Sequence, residues 1–114
     1  MVRTSLAPFA IYAAAAVCEI GGCYAWWCWR REGGAAWLLL PGMASLALFG
    51  WLLTLVDSET AGRTFAAYGG IYIVGAIVWL RVVEGRPVTL RDLAGVALCL
   101  AGAAVILSAA ARGR

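Results

Sequence analysis

Apolar residues run almost without interruption through four stretches of the chain, about Leu6 to Trp29, Ala35 to Val56, Thr64 to Val83 and Leu93 to Ala110. Each is close to the roughly 20 residues that carry a helix across a bilayer core, so the pattern predicts four transmembrane helices. The segments between them are short and punctuated: Arg30-Arg31-Glu32-Gly33-Gly34, then Asp57-Ser58-Glu59-Thr60-Ala61-Gly62-Arg63, then Glu84-Gly85-Arg86-Pro87 with Arg91-Asp92. No soluble domain fits in such loops. The expected architecture is an all-α integral membrane protein, a single four-helix domain over residues 1–114 in which short hairpins make consecutive helices antiparallel neighbours. Arg3 followed by an alanine-rich run has the look of a signal peptide. The apolar run is longer than a signal core, however, and Val17 stands where lipoprotein cleavage ahead of Cys18 calls for a small residue. The first stretch is therefore expected to stay as a helix.

Composition agrees with that solvent. Hydrophobic residues make up 64% of the chain and charged residues 13%, a balance that one small soluble core could not hide. The chain has no His, Lys, Asn or Gln, so carboxylates, hydroxyls and thiols are left to do any polar work inside the bilayer. The net charge of +3 comes from arginines near the segment ends, which suits anionic lipid headgroups and calls for no nucleic-acid partner. With no paired carboxylates within the membrane and no nucleophile–base spacing, an enzyme is not expected, and nothing calls for a cofactor. Cys18, Cys23, Cys28 and Cys99 all lie in apolar stretches, against a disulfide framework. Three thiols spaced by five residues do not share a helix face, so packing is preferred for them over metal binding.

Glu19 is the residue that needs a reason. An acidic side chain at the centre of a membrane helix costs about 2.5–3.5 kcal/mol on an insertion scale, and chains that keep one generally use it for an ion, a proton or a substrate. Helical phase puts Tyr12, Ala15, Ala16, Cys23 and Trp26 near its direction, a face of small residues with an aromatic above and below. Such a face can hold a cation. The competing role is an ion pair with Arg81, but that arginine is close enough to the end of its stretch to reach the headgroups.

The third stretch interleaves aromatics with glycines. Phe65, Tyr68 and Tyr72 are three and four residues apart and fall on one face, suited either to a cation over its rings or to plain packing, while Gly69 and Gly70 allow close approach or bending. In the fourth stretch Gly95 and Gly102 are seven apart with Cys99 between them on the same side, a small-residue stripe of the kind that lets membrane helices associate and here suggests a dimer seam.

These residues together resemble a known family. Cys18-Glu19-Ile20-Gly21-Gly22-Cys23, Trp37-Leu38-Leu39-Leu40-Pro41, Ser45-Leu46-Ala47-Leu48-Phe49, Trp51-Leu52-Leu53-Thr54-Leu55, Ala66-Ala67-Tyr68-Gly69-Gly70 and Trp79-Leu80-Arg81-Val82-Val83 closely resemble the YnfA family of small bacterial inner-membrane proteins, over nearly the whole chain. That family in turn looks like a branch of the small multidrug resistance transporters, through Glu19 and Gly22, through Phe65, Tyr68 and Gly70, and through Gly95 and Gly102. The resemblance implies a proton-coupled exporter working as an antiparallel homodimer, with Glu19 of both subunits taking protons or cationic substrate in turn. It also implies that Phe65 and Tyr68 line the chamber and that the fourth helix makes much of the dimer contact. The chain departs from the efflux relatives in carrying Phe65 and Tyr68 where they usually have Tyr and Trp, and Cys18 ahead of the glutamate. Both departures bear on substrate range more than on coupling.

The leading expectation is thus a proton antiporter of small or lipophilic organic cations in the bacterial inner membrane. A small ion channel and a structural or assembly protein of that membrane are the alternatives. Arginines divide almost evenly between the two sides, Arg3, Arg63, Arg112 and Arg114 against Arg30, Arg31, Arg81, Arg86 and Arg91, so insertion in both orientations is expected.

Overall fold

A computed structural model describes residues 7–57 and 60–113; Arg3, Leu6, Ser58, Glu59 and Arg114, named above, lie outside the described residues. The described chain is all helix: α1 Ala7–Arg31, a short 3-10 turn Ala36–Leu38, α2 Leu39–Leu53, α3 Ala61–Val82 and α4 Leu90–Gly113. Four spans within it are long and apolar enough to cross a membrane: Pro8–Arg31, Ala36–Leu53, Ala61–Val82 and Leu90–Ser108. Two units divide the chain, Met1–Val56 with α1 and α2, and Asp57–Arg114 with α3 and α4.

In the first unit, α1 leaves its helix through Gly33 at φ +72°, a left-handed conformation that glycine adopts without a Cβ clash. The Gly34 N–H then donates back to the Cys28 carbonyl at 2.8 Å, satisfying one of the helix's last carbonyls. After the 3-10 turn, α2 takes Pro41 in its first turn, where a missing N–H costs nothing. α2 stops at Leu53, three residues short of the expected Val56. There the backbone tightens to i→i+3 hydrogen bonds, Thr54 N–H to the Trp51 carbonyl, Leu55 to Leu52 and Val56 to Leu53, and the Thr54 hydroxyl donates to the same Trp51 carbonyl at 2.6 Å.

The helices of this unit cross closely where both lack side chains. A Cβ placed on Gly22 would meet Leu46 Cγ at 2.7 Å and the Gly42 carbonyl oxygen at 2.9 Å, and one placed on Gly42 would meet the Ala25 Cβ at 2.8 Å. Small residues set this backbone approach, as in other membrane helix pairs.

In the second unit, α3 ends through Gly85 at φ +69°, with the Arg86 N–H donating to the Leu80 carbonyl at 3.0 Å. α4 begins three residues earlier than the apolar pattern suggests, because Thr89 and Asp92 cap it reciprocally. The Asp92 N–H donates to Thr89 Oγ1 at 3.1 Å and the Thr89 N–H to Asp92 Oδ2 at 2.9 Å. A Cβ on Gly70 of α3 would lie 3.1 Å from the Ala103 Cβ and 3.5 Å from Leu100 Cδ2, which marks the contact between α3 and α4.

Candidate functional site

Glu19 is the central residue of α1, twelve residues from either end, or about 18 Å along the axis. Its side chain is half-buried, and Tyr12, Ala15, Ala16 and Ile20 around it on the helix are buried. The turn that carries it is clamped from the neighbouring helix. Ser45 of α2 donates its hydroxyl to the Cys18 carbonyl at 2.6 Å, and Gly22, one turn further on, is the point where α1 meets Gly42 and Leu46. The carboxylate therefore stands on backbone held by α2 on both flanks.

The apolar pattern alone does not single out that clamp. Its signal was present in Gly42 and Ser45, which are three apart on one face of the second apolar stretch and are small and hydroxyl-bearing as membrane helix contacts require.

The expected neighbours of Glu19 separate along α1. Tyr12 is buried on the N-terminal side, whereas Cys23 and Trp26 are exposed on the C-terminal side. Cys23 and Trp26 line an open cleft of about 520 Å³ with Trp27, Trp29, Arg30 and Arg31. There the Trp26 and Trp29 rings meet edge to face at 6.0 Å, the Arg31 guanidinium stacks 4.8 Å over Trp27, and the Trp27 indole N–H donates to Glu32 at 3.3 Å.

The aromatic set of α3 belongs to the second unit. Tyr68 is buried and meets Tyr72 edge to face at 6.0 Å, while Phe65 is 56% exposed. Thr64, buried beside them, turns its hydroxyl to the Thr60 carbonyl at 2.9 Å and so carries no unsatisfied donor into this face. Of the paired glycines, Gly70 packs on α4, whereas a Cβ on Gly69 would meet nothing within 4 Å. The α4 stripe is open. Cys99 and Gly102 are exposed, Gly95 is half-buried, and the space where either glycine's Cβ would stand is clear to 4 Å. All four cysteines are free thiols.

A family model described as "Uncharacterised BCR, YnfA/UPF0060 family" matches residues 1–113. The chain belongs to the YnfA/UPF0060 family. Similar relatives include a UPF0060 membrane protein of Gluconacetobacter diazotrophicus, 85% identical over 108 residues that make up 95% of each chain. A second, from Rhizobium etli, is 59% identical over 101 residues, 89% of this chain and 95% of the relative. Both carry the name membrane protein, in agreement with the four apolar helices. No solved structure matches this chain.

Proposed function

We propose that the protein is a proton-coupled exporter of small or lipophilic organic cations, a homodimer of the bacterial inner membrane in which Glu19 binds protons and substrate in turn. The observation that carries this reading is the position of Glu19: a carboxylate at the midpoint of an apolar helix, half-buried, on a turn fixed by Ser45 and Gly22. A carboxylate in such surroundings accepts a proton or a cation, and competition between the two for one group is the simplest form of coupled exchange.

The remaining parts of the reading have their own support. The resemblance to the small multidrug resistance transporters implies that Phe65 and Tyr68 line the chamber, and the edge-to-face pair of Tyr68 and Tyr72 is an aromatic set suited to an organic cation. No residue of the α4 span Leu90–Ser108 is buried within the chain, and its Gly95, Cys99 and Gly102 stripe is the natural seam for a second copy.

Reconstitution into proteoliposomes tests the reading. A pH gradient should drive uptake of tetraphenylphosphonium or a guanidinium against its own gradient, with protons moving the other way. Ion conduction without proton exchange would indicate a channel instead, and silence across a panel of cations would favour a structural role.

A further inference from the structure

The C-terminal end of α1 carries a feature that extends beyond the face around Glu19. Cys23, Trp26, Trp27, Trp29, Arg30 and Arg31 surround one open cleft of about 520 Å³. Its chemistry differs from that of the face around Glu19. Two guanidinium groups line it, with the Glu32 carboxylate bonded to the Trp27 indole at its edge and Glu19 one turn below Cys23, so the arginine end of the cleft is cationic and disfavours an organic cation. The apolar part is equally marked: Trp26, Trp27 and Trp29 are 41%, 48% and 37% exposed, each offering ring surface to its surroundings.

Tryptophans at a helix end beside arginines are placed at headgroup depth, where indoles bridge apolar and wet surroundings and guanidinium groups pair with phosphate. Here the residues are also partly organised. The edge-to-face pair Trp26–Trp29 fixes one wall, and the stacking of Arg31 on Trp27 holds a guanidinium over a ring and restricts its rotamers before any ligand arrives. Glu32 is bonded to the Trp27 indole, so it braces that wall.

We propose that this cleft is a binding site for an anionic phospholipid, with Arg30 and Arg31 on the headgroup phosphate and the three indoles against the glycerol region and the upper acyl chains. The occupant follows from charge complementarity joined to the aromatic walls. A free phosphate would use the arginines alone and leave the indoles idle, and a zwitterionic lipid would bring its own cation to an already cationic site. The site lies within the first helical hairpin and does not depend on the transport reading.

Native mass spectrometry of the detergent-solubilised protein, with phosphatidylglycerol and phosphatidylcholine supplied in equal amounts, tests the assignment. The wild type should retain phosphatidylglycerol about thirtyfold over phosphatidylcholine, the size expected for two arginines near a headgroup. Arg30→Gln with Arg31→Gln should bring the ratio to about one, whereas Arg86→Gln with Arg91→Gln should leave it intact. Glu32→Gln should raise it. Equal loss in both double variants would reduce the effect to net charge and overturn the proposal, as would a wild type with no preference, or displacement of the retained lipid by millimolar inorganic phosphate. All these positions are exposed, and helical circular dichroism of each variant verifies that folding is kept. Glu19→Gln should retain the lipid preference unchanged, so a failure of the transport reading leaves this result standing.

Discussion

At the scale of single residues, Glu19 and Tyr68 carry the proposed chemistry, and their surroundings assign them different work. Glu19 is half-buried on clamped backbone, suited to a group that must change partners without moving its helix. Tyr68 is buried with a ring neighbour, Tyr72, already in place. Tyr68→Ala should weaken binding of aromatic cations by about 1–2 kcal/mol, the range for a desolvated cation over a ring. Phe65→Ala should do less, because Phe is the weaker cation partner and this one is 56% exposed. Isothermal titration with a panel of quaternary ammonium and aromatic cations measures both, and wild-type affinity in both variants would turn this face of α3 from substrate to packing.

At the scale of elements, the crossing of α1 and α2 supports the site and sets a second expectation. The clearance at Gly22 is smaller than a methyl group needs, with Leu46 Cγ at 2.7 Å and the Gly42 carbonyl at 2.9 Å. Leu46 can swing aside; the carbonyl cannot without moving α2. Gly22→Ala should therefore destabilise the protein by about 1–3 kcal/mol, the overpacking range, and weaken cation binding at Glu19 one turn away. Ser45→Ala should cost about 0.6 kcal/mol, as an interhelical hydrogen bond in a membrane does. Unfolding by sodium dodecyl sulfate followed by circular dichroism gives both numbers, and a Gly22→Ala protein as stable as wild type would contradict so close a crossing. The four helices were legible in the sequence because nothing but apolar runs of spanning length explains the pattern. Their ends were less so. Hydropathy does not register the reciprocal cap of Thr89 and Asp92, which begins α4 in polar residues, or the hydroxyl of Thr54, which helps close α2 early. The site followed the same rule. Glu19 stood out as a lone charge, while Ser45 and Gly42 were hidden because a hydroxyl and a glycine in an apolar run acquire meaning only against a partner helix.

At the scale of the whole molecule, orientation and assembly decide whether one carboxylate can serve both faces of the membrane. On the four-span topology expected from the sequence, the nine arginines divide four against five between the two sides, which would leave almost none of the bias that normally orients a membrane protein. Fusions of paired reporters to the C-terminus should report both orientations in comparable amounts, and a single orientation in a fully active protein would contradict the antiparallel dimer. The open stripe of α4, with Gly102 exposed on it, provides the matching expectation for assembly, that Gly102→Leu loses the dimer while the helices remain inserted. Everything in this picture depends on protons and cations meeting at one group. The direct measurement is the proton released into weak buffer when tetraphenylphosphonium is titrated into purified protein, compared between wild type and Glu19→Gln. The wild type should bind the cation and release protons in proportion, and Glu19→Gln, still helical and dimeric, should do neither. A Glu19→Gln protein that binds the cation and releases protons as the wild type does would contradict coupling at Glu19.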